Sequence, residues 1–415
     1  MRIAYITNVR LPSERAHGHQ VARVCDALVK LGHEVTIFAP FRRNVVKEDF
    51  WTFHKADRKM KVKCLGTFDP IDTCWIPKFL QIHVLNWFFT RALIQEVSKD
   101  QFDVIYTRTP ALLSALLRSE VHTVIELHTL PNVRQERFVE LCNRCTLIVC
   151  LTIPMRDELV RWGVKKEMTT IEADGIDLEM FEARKGYVQE KYAAGYAGQR
   201  ESMGLSKGIF ELLGAFKIMH QQRPDSRFVI AGPRSKNHKL EKCIQEVVHE
   251  GYVVDAGFLD WNLIPPLLKA CDVLVYPAPA SNHPFYHRDT SPLKIFEYMA
   301  AGKPIVTANL APIRDVLDET MAFFCKPGDP QDLARAIKEA LENPEEAARI
   351  CTTGLNALRL LAIYLKPVIP GIVAKIEAFL NTPELQWTDL TNRHENQAIQ
   401  AYAHIAERIP VGTII

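Results

Sequence analysis

No stretch of apolar residues in this sequence is long enough to span a membrane as a helix. The charge is also nearly balanced, because 51 Lys and Arg residues offset 49 Asp and Glu residues and leave a formal net charge of +2. A protein whose main partner is nucleic acid usually has a marked basic excess, which is missing here. With 47% hydrophobic and 24% charged residues, the 415-residue sequence has the composition of a globular protein with room for two domains.

The ten cysteines follow no regular spacing, so the sequence does not predict a disulfide framework. No secretory signal precedes the first predicted strand, and we therefore expect buried, unpaired thiols in the reducing cytoplasm. Cys142 and Cys145, with Cys150 close behind them, could suggest a metal site. No second cysteine pair stands at zinc-ligand spacing, so we expect no metal.

Two frequent nucleotide-binding motifs are missing as well. No G-x-G-x-x-G motif follows a predicted strand, which disfavours a nicotinamide-dependent enzyme. No G-x-x-x-x-G-K-[ST] motif occurs, which argues against a P-loop ATPase. A binding site for a phosphorylated ligand must therefore be sought in other segments of the chain.

Short apolar strands alternate with amphipathic helices along the sequence. A strand at residues 2–7 precedes a loop, a helix at 20–31 and a second strand at 34–39. Further strands are predicted at residues 104–106, 121–126, 146–151, 194–198, 227–232, 253–258 and 273–277, and a further helix is predicted at 111–118. This alternation predicts an α/β fold, in which helices cover both faces of parallel sheets. Ligands of such sheets bind at the carboxyl ends of the strands.

The most informative segment, residues 289–304, reads D-T-S-P-L-K-I-F-E-Y-M-A-A-G-K-P. Ser291 is the predicted N-cap of a helix, because its hydroxyl can accept a hydrogen bond from a backbone N–H at the helix start. Pro292 suits the first helical position, where its missing N–H costs nothing. Gly302 and Pro304 predict the end of the helix.

The start of this helix is suited to an anionic ligand. The backbone N–H groups of Leu293 and Lys294 lie at the positive end of the helix dipole, which favours a phosphate. Glu297 lies about one turn further along, within reach of a hydroxyl group on the molecule that carries the phosphate. Asp289 comes just before the cap and is placed to meet a second polar group.

The segment resembles the donor-site motif of the retaining glycosyltransferases with the GT-B fold, in which two acidic residues stand eight positions apart, as Asp289 and Glu297 do here. The resemblance extends from residue 1 to about residue 348. It implies two Rossmann-like domains that face a cleft: an acceptor-side domain at 1–180 and a domain at 181–348 that binds a nucleotide-diphosphate sugar.

The resemblance also implies roles for individual residues. The K-G motif that begins at Lys207 matches the family's motif whose lysine neutralises the donor phosphates. Arg200 stands in for a partner arginine, and Gly18 lies where the family has its glycine loop, although a structural turn is the alternative there. His128, just after a predicted strand, resembles a histidine that contacts the reacting sugar.

We therefore expect His128, Asp289 and Lys207 to be catalytic. Donor binding is expected from Gly18, Arg200, Lys207, Ser291, Pro292, Leu293, Lys294 and Glu297. No cofactor is expected, since the nucleotide sugar is a substrate, and the resemblance implies that basic residues replace a metal.

A basic stretch at 42–63 precedes a segment at 74–97 that is rich in large apolar residues, including Trp87 and Phe88. Aromatic side chains beside clustered Lys and Arg suit a helix that lies on an anionic membrane surface. The alternative is a helix packed in the domain core behind a solvated basic loop. The sequence leaves both interpretations open.

The C-terminal tail, residues 349–415, resembles a different family. From about residue 350 to 410, and notably in L-R-L-L-A-I-Y-L-K-P-V-I-P, it is similar to the end of the anticodon-binding domain of methionyl-tRNA synthetases. The catalytic signatures of those enzymes, H-I-G-H and K-M-S-K-S, are absent from the sequence, so we expect no synthetase activity. We expect a helical tail with a structural role.

Together these features predict a retaining glycosyltransferase of the hexosyltransferase type in cell-surface polysaccharide or glycolipid synthesis. The expected partners are a nucleotide sugar and an acceptor glycan or lipid-linked sugar, with an anionic membrane as a further candidate, whereas nucleic acid is not expected. We expect it in the cytoplasm, with the inner face of the membrane as a candidate location. The alternatives are a GT-B nucleotide-sugar epimerase and an RNA-binding or assembly module that acts through the tail.

Overall fold

The computed structural model describes residues 1–342, apart from residues 14, 15, 72, 74, 75, 176–189 and 203, together with residues 377, 385 and 386. The chain divides into two compact units at the bond between Ala173 and Asp174, which we call unit 1 and unit 2. The predicted domain boundary between residues 180 and 181 lies outside the described residues, as does most of the predicted tail at 349–415.

Unit 1 is a parallel sheet covered by helices. Its described strands are β1 (Arg2–Ile6), β2 (Glu34–Pro40), β3 (Lys61–Leu65), β4 (Val104–Thr107), β5 (His122–Leu127), β6 (Leu147–Cys150) and β7 (Thr169–Ile171). Its described α-helices are α1 (Ala16–Lys30), α2 (Phe50–His54), α3 (Lys78–Val97), α4 (Leu113–Leu116), α5 (Gln135–Cys142) and α6 (Ile153–Trp162), and short 3-10 helices lie at Pro110–Leu112 and Lys166–Met168. The strand order is β3-β2-β1-β4-β5-β6-β7.

Unit 2 repeats this architecture. Its described strands are β8 (Tyr192–Ala197), β9 (Glu201–Ser202), β10 (Leu205–Ser206), β11 (Phe228–Ala231), β12 (Val253–Asp255), β13 (Cys271–Tyr276), β14 (Ile305–Ala308) and β15 (Phe323–Cys325). Its described α-helices are α7 (Ile209–Gln222), α8 (His238–His249), α9 (Ile264–Ala270), α10 (Leu293–Ala301), α11 (Ala311–Arg314) and α12 (Pro330–Glu342), with a 3-10 helix at Trp261–Leu263 and a π-helical turn at Phe285–Asp289. The sheet order is β12-β11-β8-β13-β14-β15, and β9 and β10 form a separate antiparallel hairpin.

The alternation of strands and helices explains both cores. In β11 all four residues are buried apolar side chains, because helices cover both faces of the sheet. Phe216 of α7, for example, stacks on Phe228 of β11 with ring centroids 4.4 Å apart. The predicted α/β fold with two parallel sheets is therefore confirmed.

Two predicted helix boundaries differ from the observed ones. α1 begins at Ala16, four residues before the predicted start at Gln20, because its first turn lacks the apolar periodicity on which the prediction depended. The helix predicted at 111–118 is a 3-10 turn, Pro110–Leu112, followed by the short α4. The end predicted for α10 is confirmed, since Gly302 follows it with a φ of 64° that favours glycine.

The long helix α3 combines the two interpretations that its sequence allowed. Gln81, Leu85, Phe89 and Leu93, four residues apart, form a narrow buried stripe along one side of the helix. Much of the remaining surface exposes large apolar side chains, and Phe79 is 73% exposed. The helix is therefore packed into the core of unit 1 and still presents an apolar face on the outside.

Three neighbouring thiols of unit 1 pack as small apolar groups. Cys142, Cys145 and Cys150 are buried in one hydrophobic cluster and are unpaired. Burial raises the pKa of Cys145 to about 11 and the pKa of Cys150 to about 12, so both are protonated at neutral pH. In the described part of the chain, no helix has the length and apolar character needed to cross a bilayer.

Candidate functional site

Two lysines concentrate positive charge at the carboxyl edge of the sheet in unit 2. Lys207 follows the β9–β10 hairpin, and its Nζ lies 3.9 Å from the centroid of the Phe285 ring. Burial and the nearby charge of Lys294 lower the pKa of Lys207 to about 8. Within the described residues, no carboxylate forms a salt bridge with Lys207. This partly buried cation thus lacks a counter-charge, which an anionic ligand could supply.

Two glycines allow close approaches of the chain beside these lysines. Gly208 has a φ of 78°, and a Cβ there would lie 2.6 Å from the backbone nitrogen of Ala278, so the K-G motif needs glycine on both grounds. At Gly198, directly after β8, a Cβ would lie 2.2 Å from Cε of Lys294. The Lys294 side chain therefore passes over the backbone of Gly198. Sequence analysis did not identify Gly198, although its position directly after a strand was a usable signal.

The start of α10 differs from its prediction by one residue. Pro292 is the cap residue, and the helix begins at Leu293 instead of at Pro292. The Ser291 hydroxyl accepts a hydrogen bond from the Leu293 N–H at 3.3 Å and donates one to Asp174 at 2.5 Å. In the part of the chain that is described, the Lys294 N–H has no acceptor. Of the two amides predicted to bind phosphate, the Lys294 amide is therefore the open one.

The two acids of the motif have different surroundings. The Glu297 carboxylate lies 3.5 Å from Lys294 Nζ, and its side chain is partly exposed. Asp289, the last residue of the π-helical turn, is buried and forms two hydrogen bonds with Arg288, at 2.6 Å from Nε and 3.0 Å from Nη2. Glu297 is thus accessible to a ligand hydroxyl, whereas the charge of Asp289 is balanced by its neighbour.

Arg200 requires a correction. Its side chain is 2% exposed, and Nη1 donates to both carboxylate oxygens of Glu241 at 2.8 and 2.7 Å. Nη2 donates to Asp255 at 2.5 Å. Because two carboxylates already balance its charge, the structure places Arg200 in a buried ion triad that joins β12 to α8, not at an open position for donor phosphates.

Gly18 also requires a correction. It lies in the first turn of α1, and a Cβ there would come within 2.6 Å of the Ser13 Cβ. The space beside this glycine is occupied by the preceding loop. Gly18 therefore permits close packing of the loop on the helix, rather than forming the structural turn that the sequence also allowed.

His128 lies directly after β5, within a buried polar network in unit 1. Its Nε2 is 2.5 Å from Oε1 of Glu126, and its Nδ1 is 3.1 Å from Nη2 of Arg108. Tyr106 donates to the other Glu126 oxygen at 2.5 Å. Although burial raises it, the hydrogen bond from His128 and the charge of Arg108 leave the pKa of Glu126 below its usual value. Glu126, which stands two positions before the histidine at a strand end, was not predicted from the sequence.

The predicted site residues are thus divided between the units. Unit 2 brings Lys207 near Lys294 and places Ser291 and Glu297 on the same helix start. Unit 1 holds His128, whose neighbour Arg108 also donates to Gln20 of α1 at 3.0 Å. The catalytic and donor-binding roles of these residues stay predictions.

Family models match both units. The model of Glycosyltransferase Family 4 matches residues 18–180, and that of Glycosyl transferases group 1 matches residues 184–355. Among solved structures, the crystal structure of Anabaena Alr3699/HepE in complex with UDP and glucose aligns with a TM-score of 0.63 at 19% identity, over 85% of this chain and 93% of that chain. At this identity the likeness shows the fold.

Curated relatives of two kinds are similar to parts of the chain. The putative teichuronic acid biosynthesis glycosyltransferase TuaH of Bacillus subtilis is 29% identical over 44% of this chain and 45% of its own length. The methionine–tRNA ligase of Thiobacillus denitrificans is 35% identical over 20% of this chain. The chain spans only 15% of the length of that ligase.

Part of the chain therefore resembles these ligases, whereas the assignment of that likeness to residues 349–415 stays a prediction. The two family models fall on the two units, and the fold agrees with them. The chain belongs to the glycosyltransferases of the GT-B fold, with a family 4 domain followed by a group 1 domain.

Proposed function

We propose that this protein is a retaining glycosyltransferase that moves a sugar from a nucleotide-diphosphate sugar to an acceptor in cell-surface polysaccharide or glycolipid synthesis. The observation that carries this proposal is the pair of lysines, Lys207 and Lys294, at the carboxyl edge of the unit 2 sheet. Related structures support the donor class, because HepE has been crystallised with UDP-glucose. TuaH, named for teichuronic acid biosynthesis, supports the acceptor class.

The lysines suit the chemistry of glycosyl transfer. Negative charge grows on the diphosphate as the bond to the sugar breaks, and fixed positive charge stabilises it most at that point. The partial burial of Lys207 strengthens this interaction, because screening by water is weaker there. The two lysines and the open amide of Lys294 thus stabilise the leaving diphosphate, a role that a metal has in other transferases.

The acids complete the donor site. Glu297 is proposed to accept a hydrogen bond from a ribose hydroxyl, since its carboxylate is partly exposed one turn into α10. Asp289 is proposed to meet the donor sugar while Arg288 holds its carboxylate in place. Retention of configuration is proposed from the family resemblance, and the anomeric configuration of the product, measured by NMR, tests it.

A screen against nucleotide sugars tests the donor assignment. A ligand that binds only the folded state raises the melting temperature, so the correct donor should stabilise the full chain. The shift should be lost in Lys207→Ala and kept in Lys217→Ala, because Lys217 is an exposed lysine on α7. If no nucleotide sugar shifts the melting temperature or supports transfer, the proposal is wrong.

The same experiments separate the alternatives. Conversion of the donor to its epimer without any acceptor would identify an epimerase. Salt-sensitive retention of tRNA, lost on deletion of residues 350–415, would favour the RNA-binding module. Transfer of the sugar to an added acceptor supports the present proposal against both.

We further propose that unit 1 binds an anionic lipid surface through the outer face of α3. Phe79, Ile82 and Trp87 are exposed there, and Trp87 is 54% exposed although tryptophan is usually well buried. Arg91 lies 4.5 Å from the centroid of the Trp87 ring, so positive charge accompanies the aromatic surface. Apolar and basic side chains on one face are what an interfacial helix uses.

Vesicle flotation tests this surface. The full chain should float with vesicles that contain phosphatidylglycerol and remain unbound with pure phosphatidylcholine, and added salt should release it. Phe79→Ser combined with Trp87→Ser should abolish flotation without unfolding the protein, because both side chains are exposed. Flotation that this double variant leaves unchanged would contradict the proposal. The corresponding location is the cytoplasmic face of the membrane, which suits the unpaired cysteines.

A further inference from the structure

Glu126 is a buried carboxylate with three side-chain partners. The proposed donor chemistry gives Glu126 no role. It lies one residue before the end of β5 and contacts His128, Arg108 and Tyr106. Burying a charge is costly unless hydrogen bonds and an opposite charge compensate for it. The structure provides both, so the network is built around this carboxylate.

The donors and acceptors of the network select one form of the imidazole. Arg108 Nη2 can only donate, so His128 Nδ1, 3.1 Å away, must accept and carries no proton. The ionised Glu126 can only accept, so Nε2, at 2.5 Å, must carry the proton. Both neighbours therefore specify the Nε2–H tautomer of a ring without net charge.

Other contacts hold these two neighbours in place. Tyr106 fixes the second oxygen of Glu126, and Arg108 Nε lies 3.3 Å from the first. Arg108 also donates to Gln20, which joins the network to α1. Each partner of the imidazole is thus oriented by a group other than the imidazole, as positioning groups in active sites are.

We propose that Glu126 is a positioning residue for glycosyl transfer, which together with Arg108 holds the His128 imidazole in one orientation as its Nε2–H tautomer. The inference depends on the proposed function, in which His128 contacts the reacting sugar. Positive charge develops on a sugar as its glycosidic bond breaks. An uncharged ring backed by a carboxylate is compatible with that charge, whereas an imidazolium would repel it.

The chemical role of Glu126 is tested by the tautomer itself. Ring ¹⁵N chemical shifts of the full chain, assigned by comparison with His128→Ala, should show the Nε2–H form at neutral pH. In Glu126→Gln, Arg108 still donates to Nδ1, so the Nε2–H form should persist, but a neutral amide oxygen accepts a weaker hydrogen bond than a carboxylate and the Nε2 chemical shift should move. The turnover number should fall by about tenfold or more, with little change in the donor KM.

Tyr106→Phe provides the matched comparison. It removes a hydrogen bond from the other oxygen of Glu126 and leaves the contact with His128 intact. A purely structural network would lose stability in both variants and lower the turnover number in neither. We expect the Nε2 shift and the turnover number to change in Glu126→Gln and not in Tyr106→Phe, and Glu126→Asp, which keeps the charge, should keep the Nε2–H form.

Two results would overturn the inference. One is an Nδ1–H tautomer in the wild-type protein, a measurement that requires no folded variant. The other is a folded Glu126→Gln protein in which the Nε2 shift and the turnover number are both unchanged. Failure of the wild-type protein to transfer any sugar would instead overturn the proposed function, and the ring shifts would still report whether Glu126 controls the imidazole.

Discussion

At the carboxyl edge of the sheet, the positive charge is neutralised by a carboxylate in unit 1 and is largely without a carboxylate partner in unit 2. In unit 1, Arg108 lies against Glu126, and the network around His128 is closed. In unit 2, Lys207 has no carboxylate partner among the described residues, and Lys294 has only Glu297 at 3.5 Å. A protein can leave a partly buried cation without a counter-charge where a ligand supplies one. The difference supports the proposal that unit 2 binds the anionic part of the donor.

The contrast is repeated inside unit 2, between Arg200 and Lys207. The two residues flank the same hairpin, and the family resemblance implied the same role for both. Arg200 is bound by Glu241 and Asp255, whereas Lys207 faces the ring of Phe285. We therefore expect Arg200 to contribute mainly to stability and Lys207 mainly to activity.

The largest effect is expected from Arg200→Met. Removing the guanidinium leaves two carboxylates buried without a partner, which should lower the free energy of unfolding by about 3–5 kcal/mol. Urea unfolding of the full chain measures this loss, with Lys217→Ala as the neutral control. A stable Arg200→Met protein with a raised donor KM would contradict this expectation. It would show that Arg200 contributes to donor binding, as Lys207 is proposed to do.

Lys207→Ala should lower turnover by about 10²-fold, the scale of losing one electrostatic stabiliser of a transition state. Its stability should not fall, because the variant no longer buries a charged amine. Steady-state kinetics should show the loss of turnover, and urea unfolding should show that the stability is kept. An unchanged turnover number in a folded protein would show that Lys207 does not act on the leaving diphosphate.

The pH dependence of donor binding and of stability tests the same role of Lys207. Since burial and Lys294 lower the pKa of Lys207 to about 8, the cationic form is lost as the pH rises through that value. Donor affinity should then fall by up to about tenfold per pH unit above 8. Stability should move the other way and rise between about pH 8 and 10.5, because the unfolded chain still holds the proton there.

Lys207→Arg provides the control for this pH dependence, because a guanidinium stays protonated throughout that range. Titrations of donor binding at several pH values make the comparison. If the wild-type protein and Lys207→Arg lose affinity in parallel above pH 8, a different group is responsible.

The smallest effect is expected from Glu297→Gln. A hydrogen bond to the ribose is made in both ground and transition states, so its weakening should raise the donor KM by about fivefold and leave turnover nearly unchanged. Asp289→Asn should do the reverse, because Asp289 is proposed to meet the sugar near the bond that breaks. Kinetics with the donor varied separates the two, and equal changes in both parameters would contradict the division of roles.

Much of the fold was predictable because its signals are local in the sequence. Short apolar strands and amphipathic helices predicted both parallel sheets, and Gly302 predicted the end of α10. The family resemblance singled out the K-G motif, which forms the turn before α7, where only a glycine at 208 avoids a clash. Backbone conformation and apolar periodicity depend on neighbours a few positions away, so these features could be inferred from the sequence.

The partners of Arg200 and Arg108 came from the tertiary structure alone. Arg200 meets carboxylates 41 and 55 positions further along the chain, and Arg108 and Glu126 meet because β4 and β5 are adjacent. The sequence determined where strands end and which polar residues follow them. Which charge is neutralised and which is left open depends on the order of strands in each sheet, because electrostatic pairing requires proximity in space.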